Sequence, residues 1–179
     1  MRKTDIKIAN AMINILNDQR NNRISDNEII QAAGVSRSTF YIHFKNQEEV
    51  LKFIFNIIDK NIFKEFEHIN YFPARELNKS ILIDHLSENV LPTIYEYRSL
   101  IKIMYLSNIS NIWNKFLQDK YTQELLRFLK VENTMHLKLF VKYILSIIEL
   151  WITNPTVETP ETFKNHFKDL CTSSIIDIK

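Results

Sequence analysis

Ser25-Asp-Asn-Glu-Ile-Ile-Gln-Ala-Ala-Gly-Val-Ser-Arg-Ser-Thr-Phe-Tyr-Ile-His-Phe44 decides the fold. It reads as a short helix, a turn and a second short helix. Ser25 and Glu28 make a capping box, in which the hydroxyl takes the amide three residues on and the carboxylate returns to the cap amide. Ile29, Ile30 and Ala33 are then available for burial. Gly34 stops the helix, because glycine enters positive φ without steric cost. Ser36 caps the next helix at once, and Val35 and Phe40 staple its start. Phe40 and Phe44 are four apart and mark the buried side. Ser38, Tyr41 and Lys45 fall on the far side, with Arg37 beside them in the first turn and Ile42 on the outward arc.

Outward from this pair the helical pattern continues. A first helix is expected from the cap Thr4 to about Asn17, with Ile8, Met12, Ile15 and Leu16 on one stripe. Asn46 and Glu49 cap a long fourth helix from about Gln47 to Glu67. The pattern loosens through Tyr71-Phe-Pro-Ala74, which divides the chain into an N-terminal unit, 1–66, and a C-terminal unit, 67–179. Further helices are expected at about 78–96, 99–107, 109–130, 134–153 and 160–175, about nine in all. Pro92 should kink or split the first of these. Thr159-Pro160, a cap followed by proline at the first helical position, should open the last.

Composition agrees with an all-α chain. Of 179 residues, one is glycine and four are proline. Hairpins and βα loops need glycine repeatedly for positive φ, so sandwiches, barrels and doubly wound sheets are disfavoured. Gly-rich phosphate loops and the nucleophile elbow are excluded, since each needs at least two glycines. No nucleophile–base–orienter set is apparent, so no enzyme is expected. The single cysteine, Cys171, allows no intrachain disulfide and no cysteine-based metal site, and fits a reducing cytoplasm. His85 and Glu88 are three apart but lack a third ligand; no metal or cofactor is expected. The start carries charges without an apolar run, unlike a signal peptide. Leu139 to Ile152 is too short and too charged to span a bilayer. Net charge is +2, and residues 1–47 hold seven Lys/Arg against four Asp/Glu. The positive bias thus sits at the front, beside the helix pair.

A helix, a glycine turn and a second helix with a polar outer face have the spacing of a helix-turn-helix over 25–44. Periodicity alone leaves open a DNA reader and an ordinary helical hairpin. The residues say more: Ala33-Gly-Val-Ser-x-x-Thr-x-Tyr-x-His-Phe-Lys45, within Ile29–Leu51, resembles the DNA-binding domain of the TetR family of bacterial transcription regulators. The resemblance covers residues 4 to about 66. It implies a homodimer that puts a third helix into each of two major grooves of double-stranded DNA. It also implies that Arg37, Ser38 and Thr39 face bases and nearby phosphates. Tyr41, His43 and Lys45 would hold phosphates, and Ser25 and Thr4 would offer hydroxyls and helix N-termini to the backbone. Gln47 departs from the lysine that many members carry there, and His43 is equally suited to packing.

The C-terminal half resembles the family by length and helix pattern. Leu137 to Ile152 is apolar around most of its circumference, with Lys138, Lys142, Ser146 and Glu149 on one narrow stripe. A surface helix of a monomer needs an apolar arc only a little over 100° wide, so this one should bury a second face. Phe163, Phe167, Leu170, Cys171 and Ser174 give the last helix its own stripe. A homodimer through the last two helices follows, with a central helix of a monomer as the alternative. Phe72, Tyr95, Tyr97, Tyr105, Trp113, Phe116, Tyr121, Phe128, Phe140 and Tyr143 could wall an effector cavity or simply form core. His85, Glu88, His136 and Glu149 are its possible polar anchors; Tyr105, Trp113, Tyr143 and Glu149 are selected as ligand contacts. Leu91-Pro-Thr-Ile-Tyr-Glu-Tyr-Arg98 resembles TetR-like proteins that include the dihydroxyacetone-kinase activators, some of which answer to a partner protein instead of a small molecule.

Overall fold

In a computed structural model the described residues are 2–18, 24–68, 78–128 and 134–172. They form nine helices and no strand, and the all-α expectation is borne out. The helices are α1 (Lys3–Asn17), α2 (Asp26–Ala33), α3 (Arg37–His43), α4 (Gln47–Glu67), α5 (Lys79–His85 continuing through Leu86–Val90 and Leu91–Glu96), α6 (Arg98–Leu106), α7 (Ser110–Phe128), α8 (Thr134–Thr153) and α9 (Pro160–Thr172). The expected boundary at 71–74, along with Phe72 and Ser174, lies outside the described residues.

The caps act much as the sequence implies. Ser25 Oγ accepts the Glu28 N–H at 3.3 Å, while the Glu28 carboxylate takes the Ser25 N–H at 2.8 Å. Those bonds lower the Glu28 pKa, the backbone one first. Gly34 closes α2 at φ 54°, and the Val35 N–H returns to the Ile30 carbonyl at 3.3 Å. Ser36, Asn46, Asn78 and Thr159 each accept a backbone N–H from the first turn of the helix that follows. α1 differs. It begins at Lys3 with Arg2 in the cap position, because the Asp5 carboxylate takes the Arg2 N–H at 3.3 Å, and Thr4 lies inside the first turn.

Pro92 neither ends nor splits α5. Proline has no N–H for the carbonyl four residues back, and its ring crowds that carbonyl. The helix absorbs this with a π turn at Leu86–Val90, in which the Leu91 N–H reaches the Leu86 carbonyl. One extra residue in the turn carries the chain past the proline.

α1 packs against α2, α3 and α4, and both α4 and α1 join this unit to the remaining helices, α1 through α6. An aromatic stack fastens the far end. The Arg98 guanidinium sits 4.2 Å above Tyr95, Tyr95 stacks on Trp151, and Trp151 lies 4.3 Å from Phe163 at an interplanar angle of 6°. Lys168 adds ion pairs from α9 to Asp84 and Glu88 of α5. Cys171 is buried under this helix, and burial pushes its thiol up to about 11, as suits a packing residue. No helix among the described residues is long and apolar enough to cross a membrane.

A Cβ at Gly34 would meet nothing nearer than the Lys7 amine at 3.8 Å, so the cost of a side chain there is conformational. Gly34→Ala should lose about 1–2 kcal/mol in denaturant unfolding, with Gly34→Asn losing less because asparagine tolerates left-handed backbone.

Candidate nucleic-acid interface

Burial fixes the rotation of α3. Phe40 is fully buried and Phe44 nearly so, and Phe44 meets Phe53 of α4 edge-on at 5.4 Å. The opposite side therefore faces solvent. Arg37 and Ser38 are exposed, Ile42 is 73% exposed, and the Lys45 side chain is 86% exposed beside Glu49. Tyr41 is half exposed, and Thr39 is half-buried. Cation, hydroxyls and one apolar side chain share a single convex face, the chemistry that meets phosphates and base edges.

Local bonds hold that face. The Ser38 and Thr39 hydroxyls lie 2.9 and 2.8 Å from Ser36 Oγ. Tyr41 Oη donates to Asp26 Oδ2 at 3.3 Å, and Asp26 Oδ1 takes the Gln47 N–H at 2.8 Å. One carboxylate of α2 thus ties the middle of α3 to the first residue of α4. The sequence reading did not single out Asp26; its place directly after a helix cap is the only signal it carries there.

Other selected residues lie apart from the face. His43 is largely buried and donates from Nδ1 to Asp5 of α1 at 2.6 Å, which gives it a packing role between α3 and α1. Ser25 is exposed, with its hydroxyl on Glu28, and Thr4 is half-buried at the start of α1. The Gln47 side-chain oxygen is buried without a donor. An inward amide is no substitute for a lysine reaching a phosphate.

A second site lies among α4, α5, α6, α7 and α8: an apolar cavity of about 70 Å³. Tyr105, Trp113, Tyr121 and Phe140 line it, together with Phe66 of α4, which the sequence reading did not place there. Tyr143 and Glu149 do not. Tyr143 Oη donates to the Leu170 carbonyl at 2.7 Å and links α8 to α9, while Glu149 lines an open groove between α7 and α8. His85 bonds the Glu65 carbonyl at 2.9 Å, Glu88 pairs with Lys164 and Lys168, and His136 is exposed, so none of them anchors the cavity. Tyr95 and Phe116 stack on Trp151 and Trp113 instead. Among the described residues, no group of three His, Cys, Asp or Glu converges as metal ligands would.

The cavity touches α4 through a buried cluster. Asp59 of α4 is 1% exposed, accepts the Tyr121 hydroxyl at 2.8 Å and pairs with Lys120, whose ammonium also sits 3.9 Å above the Phe63 ring. Burial, then the Asp59 charge, pushes the Tyr121 pKa up, so the phenol stays a donor. Asp59 was legible as an anomaly: it falls four residues after Phe55 and seven before Phe66, on the buried stripe of α4.

Residues 23–53 match the family described as bacterial regulatory proteins, tetR family. The chain is 36% identical over 85 residues to the HTH-type dhaKLM operon transcriptional activator DhaS of Lactococcus lactis, and 29% identical over 89 residues to the uncharacterized HTH-type transcriptional regulator YwcC of Bacillus subtilis. These matches take in 46% and 49% of this chain, and the chain spans less than half the length of either relative, 42% and 39%. The fold is similar to that of a TetR transcriptional regulator from Streptococcus agalactiae, with a TM-score of 0.59 at 17% identity over 94% of this chain and 93% of that one.

The Asp59 cluster makes a stability prediction. Removing one partner of a buried ion pair strands the other charge. Lys120→Met should destabilise the chain by about 3–5 kcal/mol in urea unfolding. Asp59→Asn in the same chain should restore much of that loss.

Proposed function

We propose that this chain, TetR-like in its helix-turn-helix motif and in its fold, is a homodimeric, non-enzymatic DNA-binding transcriptional regulator of the cytoplasm. It binds a pseudo-palindromic operator and acts as a repressor relieved by an effector. Residues 1–66 form the reading domain and 67–179 the effector and dimerisation domain. The single observation that carries the reading is the α3 surface, where Arg37, Ser38, Tyr41, Ile42 and Lys45 are presented outward by the burial of Phe40 and Phe44. Arg37, Ser38 and Thr39 meet bases and adjacent phosphates, Tyr41 and Lys45 hold phosphates, and the starts of α1 and α2, with Thr4 and Ser25, face the backbone. His43 acts by holding α3 on α1.

Dimerisation through α8 and α9 is supported by an outward apolar line. Met135, Leu139 and Leu150 are 59, 57 and 72% exposed on α8, and Leu170 is 44% exposed on α9, where Tyr143 joins the two helices. Large apolar side chains so exposed along one helix suit an interface. A second chain supplies the second reading helix that two half-sites need.

Effector control is supported by α4. Its first residue is bonded to the carboxylate that holds Tyr41, and its later turns wall the cavity and carry Asp59. A molecule in the cavity that prefers one position of α4 shifts the reading helices by that preference, typically about 1–3 kcal/mol of coupling. A reading in which a partner protein is the effector finds its support in the open groove between α7 and α8, which exposes Leu126 and Leu139.

The test is selection of bound fragments from genomic DNA, followed by titration of the enriched site. The native chain should enrich a two-fold symmetric motif. Arg37→Ala/Lys45→Ala should abolish enrichment, and Lys45→Ala alone should flatten the dependence of log affinity on log salt by about 0.9 for each phosphate that is no longer neutralised. Leu139→Glu/Leu150→Glu should sediment as a monomer and lose the symmetric motif. Undiminished enrichment by the Arg37/Lys45 variant would assign DNA recognition to another face.

A further inference from the structure

The outward face of α8 has an apolar seam with charges along one edge. Leu139, Tyr143, Ser146 and Leu150 recur at intervals of four, three and four residues, the spacing by which two helices pack along a shared seam. Leu139, Ser146 and Leu150 are exposed, and Tyr143 is half-buried with its hydroxyl on α9. Lys142 and Glu149 are seven residues apart, so they stand on the same flank of the seam, and both line the groove beside α7. Along the helix axis that spacing is about 10.5 Å, at 1.5 Å per residue, too far for the two to pair with each other. Among the described residues neither forms an ion pair within the chain. The opposite flank is taken by α9: Tyr143 bonds the Leu170 carbonyl, and Trp151 stacks on Phe163.

We propose that the α8 helices of two copies of this chain pack antiparallel about a two-fold axis through the middle of α8, with Lys142 of each copy paired to Glu149 of the other. This rests on reading α8 and α9 as the dimer interface. Under two-fold symmetry a contact of one residue with a second implies the reverse contact as well, so every pair across the axis forms twice. Antiparallel packing centred between Ile144 and Leu145 sets Leu139 against the partner's Leu150. It sets Tyr143 against the partner's Ser146, a large side chain beside a small one. The same register brings Lys142 beside the partner's Glu149 on the groove flank. It also puts both α9 helices together on the other flank, where Leu170 is exposed, and completes a four-helix interface. Parallel packing would instead set Lys142 and Glu149 beside the partner's Ile147 and Asn154, which offer no opposite charge. Charges that flank an apolar seam fix the orientation and register of the two helices.

Sedimentation equilibrium of the full chain at low salt tests this with charge-reversed variants. Lys142→Glu and Glu149→Lys each set like charges together at two symmetric places, and each should weaken the dimer at least about tenfold. Lys142→Glu/Glu149→Lys in one chain should restore association to within about threefold of native, because the pairs re-form with their signs exchanged. Lys138→Glu makes the same change of charge one turn away and should also stay within about threefold of native. At 1 M salt, where the screening length is about 3 Å, the single variants should approach native affinity. Circular dichroism of each variant should keep the native helix signal, which separates a weakened dimer from a lost fold. Native association by both single variants, a double variant no tighter than the singles, or an equal loss in Lys138→Glu would overturn the register and leave the dimer reading standing. A native chain that stays monomeric at every concentration would defeat both.

Discussion

Two phenylalanines set the orientation of a seven-residue helix. Phe40 and Phe44 are both sunk against α4 and its neighbours, so α3 cannot rotate without exposing an aromatic ring. Fully burying a phenylalanine contributes about 1.5–3 kcal/mol, which is ample to hold so short an element in one register. Everything outward follows from that rotation: Arg37 and Lys45 reach solvent, Ile42 is displayed, and Tyr41 lies across the edge where Asp26 can hold it. The His43–Asp5 bond adds a second fastening, from the last residue of α3 to the first turn of α1.

Rigidity is transmitted by α4. Its 21 residues form one unbroken helix, about 30 Å long at 1.5 Å per residue. At one end it meets the carboxylate that fixes Tyr41; farther along, it forms part of the cavity wall. Asp59 makes the link specific. A leucine there would leave the Lys120 ammonium and the Tyr121 hydroxyl without their partner, so the carboxylate favours the register of α4 on α7 that joins all three groups. A buried charge is a costly way to fill space, and its use here is intelligible as a registry device between two helices.

Most of the fold was legible because its signals are local. Ser25 with Glu28, Gly34, Ser36, Asn46 and Thr159 each act within one turn, and the structure places a helix end at each of them. The start of α1 was less legible, since an acidic side chain inside the helix can take the role of a cap. The π turn before Pro92 was not legible at all: whether a helix breaks or bulges at proline depends on the packing around it. The outward face of α3 could be read from the spacing of two aromatics. The cavity could not, because which aromatics line a void and which stack on each other is a tertiary matter. Tyr105 and Trp113 line it, whereas Tyr143 spends its hydroxyl on Leu170 and Glu149 faces the groove outside. Asp26 escaped notice because a carboxylate's partner across the fold leaves no mark in sequence spacing, whereas Asp59 is marked only as a charge on the buried stripe of α4, with nothing to name its partners.

Hydroxyl-radical footprinting of the protein on its selected duplex tests most directly whether α3 reads DNA twice over. The account predicts two symmetric protected patches whose centres lie on one face of the duplex, about 34–36 Å or a multiple of it apart. One isolated patch, or uniform cleavage at low salt with the protein in excess, would contradict it.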